Sequence, residues 1–315
     1  WGLLNYGQFG GVEDADIDAA EAWNVTTGNK EIIAAIIDTG VRYTHVDLKN
    51  QMWVNEGEIP GNGVDDDGDG WVDNVHGIDS SDGDGDPDDP MGHGTHCAGT
   101  VGAEANNGNP HVGVAWKVRL MACKMFGSGG FTSAAITSVE FSVDEGATVS
   151  NCSWGGTGTN PPLYDAFKAG GEAGMVFSCA SGNSAMDNDQ IPDWPSGFDL
   201  ECVIAVAASD NRDDPAYFTN YGLETVDLAA PGVDIFSSVS TSDTAYEFYN
   251  GTSMAAPHVA GVIALMQGLA PNWSVLQIRE KLLESVDVLP SFDGLIATSG
   301  RVNAYSAVEG MAAGV

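Results

Sequence analysis

Short runs of β-branched and apolar residues recur along the chain, at 32–37, 118–124, 148–152, 175–179, 203–207 and 225–229. Each is nearly continuous in its hydrophobicity, as expected of a strand covered on both faces, and segments of helical period intervene at 132–145 and 162–173. Strands that alternate with helices call for a parallel sheet with right-handed crossovers. The expected fold class is therefore α/β, a doubly wound, mostly parallel sheet flanked by helices. Two further helices are expected at 253–268 and 274–285, the second capped by Ser274 and closed before Pro290. No break in composition divides the chain, so a single domain over 1–315 is preferred, without internal repeats.

One stretch breaks this rhythm. Residues 62–90 are crowded with Asp and Gly and carry almost no helix or strand signal. A loop of that length inside a compact unit is usually functional or disordered. With 41 glycines in 315 residues, many tight loops around the sheet are expected.

Composition narrows the function classes. A hydrophobic share of 43% is enough for a core, and 11 Lys and Arg against 45 Asp and Glu give a formal charge of −34. Such a field repels phosphate backbones and anionic headgroups, so neither nucleic acid nor a membrane surface is expected as a partner. The apolar run at 32–37 is far short of the roughly 18 residues a spanning helix needs. No charged-then-apolar leader precedes Trp1, so a processed or trimmed chain is expected and export stays open. The sequons at Asn24, Asn151, Asn250 and Asn272 matter only in a secretory pathway. Cys97, Cys123, Cys152, Cys179 and Cys202 are too far apart for CxxC pairs. They read either as buried free thiols or as holding a disulfide with at least one thiol left over.

Three short segments carry chemistry. Ile36-Ile37-Asp38-Thr39-Gly40 puts a carboxylate at the carboxyl end of a buried strand, where open α/β sheets place their sites. His93-Gly94-Thr95-His96 follows the acidic loop. Gly251-Thr252-Ser253-Met254-Ala255 opens an apolar helix, with Pro257 expected near its first turn, where a missing N–H costs little. Taken singly, each has an ordinary structural explanation: a strand-end turn, a packed histidine, a helix cap. Together they supply what a serine nucleophile requires, a base within hydrogen-bond reach and a carboxylate to fix that base's tautomer.

In this order, the three segments resemble the signature blocks of the subtilisin-like serine peptidases, the subtilases. The resemblance extends over nearly the whole chain, through the helix-like start at 19–23, Asn151-Cys152-Ser153-Trp154-Gly155-Gly156, Ser181-Gly182-Asn183 and the closing Gly300-Arg301-Val302-Asn303. It implies a three-layer fold with Ser253 as nucleophile, His93 as general base and Asp38 orienting His93. Asn183 would share the oxyanion with the Ser253 backbone N–H. His96 and His258 are assigned no chemistry. Gly127-Ser128-Gly129 and Ser153-Trp154-Gly155 resemble the edge segments that take an extended peptide as an added strand. The pocket for the residue before the cut (P1) would be walled by 153–156 and by Ala180, Ser181 and Gly182. Setting Trp194-Pro195 against the Tyr-Pro usual in the family puts Asp193 at or near the pocket base, where a carboxylate would draw in Lys or Arg.

The acidic loops suggest calcium. Asp65, Asp67, Asp69, Gly70, the Trp71 carbonyl and Asp73 reproduce positions 1, 3, 5, 6, 7 and 9 of an EF-hand loop, although position 12 is His76. Carboxylates this close repel one another unless a cation neutralises them. Asp79, Asp82, Asp84, Asp86 and Asp88 precede His93 by 14, 11, 9, 7 and 5 residues, spacings that resemble a calcium site of thermitase-like subtilases. A third site would pair Asp47 with Asn107, Gln8 contributing. Calcium is read as structural, in two or three sites.

The expected function is thus a calcium-stabilised serine endopeptidase of broad specificity with a preference for basic P1 residues. A catalytically inert, calcium-binding extracellular module is the alternative. A sedolisin-like peptidase would carry Glu at position 93, and Ser253 lacks the GxSxG setting of an esterase. The resemblance also implies extended peptide or unfolded protein as substrate, secretion after loss of a signal peptide, a propeptide that aids folding and inhibits, and a monomer.

Overall fold

The computed structural model describes residues 1–127 and 131–311. Its strands are β1 (Ile33–Asp38), β2 (Gly77–Asp79), β3 (Arg119–Lys124), β4 (Val149–Cys152), β5 (Gly156–Thr157), β6 (Val176–Ala180), β7 (Asp193–Trp194), β8 (Val203–Ser209), β9 (Leu228–Pro231), β10 (Ile235–Ser238), β11 (Tyr246–Tyr249), β12 (Asp287–Val288) and β13 (Gly300–Arg301). The helices are α1 (Ala19–Ala22), α2 (His93–Gly102), α3 (Phe131–Asp144), α4 (Pro161–Glu172), α5 (Thr252–Leu269), α6 (Val275–Glu284) and α7 (Ala304–Val308). A nine-stranded sheet runs in the order β12-β13-β9-β8-β6-β4-β1-β3-β2, parallel except for the β12–β13 edge pair.

The continuous hydrophobicity of the strands has a direct cause. Along β1, Ala34 and Ile36 enter one core with α2 and α5, while Ile33, Ala35 and Ile37 enter a second core with α3 and α4. Both faces of the strand are dry, so no polar alternation survives. This is the expected three-layer α/β arrangement. The chain reverses its direction of growth at β1, whose neighbours are β3 and β4. Asp38 is the last residue of β1 and therefore stands at a topological switch point.

Three details differ from the sequence reading. The strand expected at 225–229 starts at Leu228, because Val226 donates back to Gly222 O in a turn and the Asp227 carboxylate takes the Ala205 N–H. Within the acidic stretch, Gly77–Asp79 pairs with β3 as a short edge strand. Pro257 is the sixth residue of α5, beyond the first turn. Its missing N–H leaves the Ser253 carbonyl, four residues back, without a helical donor, and side chains from outside the helix take over that role. All five cysteines are buried and free, which decides between the two readings of them. As expected, Ser274 caps α6, in a capping box with Gln277. No helix among the described residues is long and apolar enough to cross a membrane.

Candidate active site

The carboxyl ends of β1, β4 and β6 and the N-termini of α2 and α5 meet at one end of the sheet. Asp38 is fully buried, and its Oδ1 accepts from His93 Nδ1 at 2.7 Å and from the Thr39 N–H at 2.7 Å. Its Oδ2 is buried without a hydrogen-bond partner among the described residues. Donation from Nδ1 fixes the imidazole tautomer and leaves Nε2 unprotonated, able to accept a proton. Burial pushes the His93 pKa down, but the charge and hydrogen bond of Asp38, aided by the charge of Asp89, outweigh it, so the net value lies above the ordinary histidine one.

The helix carrying His93 begins at Gly92, which has no side chain to cap it. Asp89 does that work: Oδ1 accepts from the Met91 and Gly92 N–H groups (2.9 Å each), and Oδ2 from the Thr95 N–H (3.0 Å) and hydroxyl (2.6 Å). Sequence reasoning overlooked Asp89 because it lies outside the usual cap position.

Ser253 is the second residue of α5, behind Gly251, whose φ of 152° and ψ of 160° are in practice open only to glycine. Its carbonyl, freed by Pro257, accepts from Ser153 Oγ (2.8 Å) and Cys97 Sγ (3.4 Å). The Ser253 hydroxyl donates to Ser153 O at 3.2 Å, and in this state no hydrogen bond joins it to His93 among the described residues. Asn183 Oδ1 accepts from the Thr252 N–H (2.8 Å) and hydroxyl (3.0 Å). Neither Asn183 Nδ2 nor the Ser253 N–H has a partner among the described residues, and both of these uncommitted donors lie 3.6 Å from where a Gly251 Cβ would stand.

A family model, that of the subtilase family, matches residues 29–309. The chain belongs to the subtilase family. It is 36% identical to thermitase of Thermoactinomyces vulgaris over 93% of this chain and 94% of that protein. It is 37% identical to a thermophilic serine proteinase of a Bacillus species over 91% of this chain and 64% of the relative. Proteases from Pseudoalteromonas arctica share its fold with a TM-score of 0.74 at 28% identity, covering 94% of each chain. The chain is thus a subtilisin-like serine endopeptidase, and peptides or proteins are its substrates.

The remaining residues singled out in this subtilase fall into place unevenly. Ser128 and Gly129 lie outside the described residues. Gly127 approaches the second acidic loop so closely that a Cβ there would lie 2.1 Å from Ser81 Oγ. The indole of Trp154 donates to Ile37 O at 2.6 Å and is buried in the core. Antiparallel pairing of β5 with β7 sets Gly156 against Trp194, and Asp193 Oδ1 is 2.8 Å from where a Gly155 Cβ would stand. Burial without a compensating charge pushes the Asp193 pKa up to about 7. Ala180 ends β6, Ser181 is buried, and Gly182 turns at φ 110°.

In the first acidic loop, ligand atoms of Glu58, Asp65 and Asp67 lie within 4.8 Å of one another. Glu58 carried no spacing signal, because it is held by the loop backbone, accepting from the Asp66 and Asp73 N–H groups. Asp69 takes the Trp71 N–H and the Asn74 amide, whereas Asp73 turns to the N–H groups of Asn62 and Gly63. In the second loop, Asp79 Oδ2 pairs with Lys124 Nζ at 2.6 Å and Oδ1 takes donors from Ser81 and Asp82. Asp84 accepts from the Asp86 N–H, and Asp86 from the Asp88 N–H and the Tyr43 hydroxyl. At the third site, Asp47 and Asn107 do meet. The Asp47 oxygens, however, are taken by the Asn107 and Asn109 amides and the Tyr246 hydroxyl, while Gln8 folds onto its own turn, donating to Leu4 O. His96 and His258 are buried on backbone carbonyls, which is a packing role.

Proposed function

We propose that the chain cleaves extended peptides through an acyl-enzyme formed on Ser253. The Ser253 hydroxyl turns from Ser153 O to His93 Nε2, and its oxygen bonds to the scissile carbonyl carbon as the proton passes to Nε2. The imidazolium, stabilised by Asp38, returns that proton to the leaving amine as the C–N bond breaks, and water repeats the sequence to release the acid. Asn183 Nδ2 and the Ser253 N–H receive the oxyanion. The observation that carries this reading is the 2.7 Å bond from His93 to a fully buried Asp38, beside a helix N-terminus that presents Ser253 and two uncommitted donors. The test is peptide hydrolysis by four proteins. Ser253→Ala is expected to abolish turnover, Asp38→Asn to lower it by about 10⁴-fold, and Asn183→Ala by about 10²- to 10³-fold. Full activity in Ser253→Ala would overturn the reading.

Substrate preference in this proposal follows from Asp193. A half-buried carboxylate beside Gly155, unpaired among the described residues, favours Lys or Arg at P1, since a cation there regains the stabilisation that burial removed. Extended substrate pairs with the backbone of 127–129 and 153–155.

The acidic loops are proposed to hold calcium, the first through Glu58, Asp65, Asp67 and Asp69, the second through Asp82, Asp84, Asp86 and Asp88. Calcium when bound supplies neutralisation of clustered charge, a structural role separate from the proton relay. We also propose, on family membership, a single catalytic domain over 1–315 that acts outside the cell as a monomer after removal of a signal peptide and an inhibitory propeptide.

A further inference from the structure

The turn that carries Asn183 has no helix or strand of its own, since β6 ends at Ala180. Its support is concentrated in Asn220, which is 3% exposed. On one side of Asn183, the Asn220 backbone N–H donates to Gly182 O at 2.9 Å. On the other, Asn220 Oδ1 accepts from the Ser184 N–H at 2.9 Å and the Met186 N–H at 3.1 Å. The Asn220 carbonyl accepts from Ser181 Oγ at 3.3 Å. Its Nδ2 donates to Asn188 Oδ1 at 3.0 Å, and Asn188, 1% exposed, donates its own amide to Ser181 O at 2.9 Å. The fit is close: a Cβ on Gly182, which sits at φ 110°, would come within 2.3 Å of Asn220 Nδ2.

An oxyanion donor contributes most when it is fixed before charge develops, because a donor that must reorient during the reaction forfeits part of its stabilisation. Asn183 sits on a loop, where such fixation must come from neighbours. Thr252 holds its Oδ1. The peptide on either side of it is held by Asn220. We propose that Asn220, backed by Asn188, is a positioning residue for oxyanion stabilisation: it clamps the backbone on both sides of Asn183 so that the side-chain amide is aimed at the reacting carbonyl. This inference rests on the reading of Asn183 as an oxyanion donor.

A double-mutant cycle tests it, with kcat and KM measured on a chromogenic peptide and unfolding midpoints on the Ser253→Ala background. Asn183→Ala is expected to lower kcat by about 10²- to 10³-fold. Asn220→Ala should lower kcat by about 10- to 100-fold and leave KM within about threefold, the signature of a misplaced catalytic group. Added to Asn183→Ala, it should cost less than about threefold, because the group it positions is already gone. Asn188→Ala should behave as a weaker copy of Asn220→Ala. If Asn183→Ala keeps full kcat, the oxyanion reading fails and the clamp with it. If Asn183→Ala loses kcat while Asn220→Ala keeps it, or lowers it equally in both backgrounds, the clamp is overturned and the oxyanion reading stands. Should Asn220→Ala not fold, Asn188→Ala takes its place in the cycle, and equal losses of kcat with and without Asn183 would overturn the clamp in the same way.

Discussion

Ser153 and Ser253 exchange hydrogen bonds: the Ser153 hydroxyl donates to the Ser253 carbonyl at 2.8 Å, and the Ser253 hydroxyl donates to the Ser153 carbonyl at 3.2 Å. The first of these bonds is open because Pro257 withholds the helical donor that the Ser253 carbonyl would otherwise receive. It ties the end of β4 to the start of α5.

Ser153→Ala is therefore expected to destabilise the fold by about 1 kcal/mol, the cost of a partly buried carbonyl that loses its best donor. Cys97 Sγ still reaches the same carbonyl at 3.4 Å, which limits the loss. Denaturant unfolding in the Ser253→Ala background, where self-cleavage is absent, checks this; a midpoint equal to that of the parent would contradict it.

The acid limb of kcat/KM is expected to have its midpoint above 6.5, since the His93 pKa is raised from that value. Activity requires neutral imidazole and so falls as pH drops through the raised pKa. The contribution to stability has the opposite sign. Protonation is favoured in the folded state, so this contribution is fully present below 6.5 and is lost as pH rises through the folded-state pKa. Rate–pH profiles of the parent and an Asp89→Asn variant test the cause: with the Asp89 charge removed, the limb should move to lower pH.

Preference for Lys or Arg at P1 should strengthen as pH rises through about 7, where Asp193 ionises. Below that pH the carboxyl is neutral and offers a cation little. Competing peptide substrates that differ only at P1, assayed about one pH unit below and one above that value with the parent and Asp193→Asn, measure this. Equal discrimination by both proteins at both pH values would remove Asp193 from the specificity account.

Chelation should lower the unfolding temperature by several degrees, because a cation bound only to the folded state at a hundredfold over its Kd contributes about 2.7 kcal/mol. Glu58→Gln should blunt the response to added calcium, since Glu58 shares its cluster with Asp65 and Asp67. Calorimetry on Ser253→Ala with calcium and with excess chelator checks both.

The layers of this fold are legible in the sequence because two-sided burial leaves long apolar runs such as 32–37, and because Ser274 and Gln277 write a cap in plain local code. Asp38 and His93 can be paired through their flanking motifs. Glu58, Asp89 and Asn220 cannot. Their work is done on backbone N–H groups of segments that only the folded chain brings near, and such partners leave no periodicity or spacing behind. Pro257 misleads for a related reason: a proline inside a helix is tolerable only where side chains from elsewhere, here Ser153 and Cys97, satisfy the carbonyl it abandons.

The most direct measurement is covalent labelling by an organophosphorus fluoride, followed by peptide mapping. A hydroxyl made nucleophilic by His93 and Asp38 should give one adduct per chain, on Ser253, with peptide hydrolysis lost in proportion and labelling strongly slowed in His93→Ala. An adduct on another residue, or hydrolysis that persists once Ser253 is fully labelled, would contradict the account.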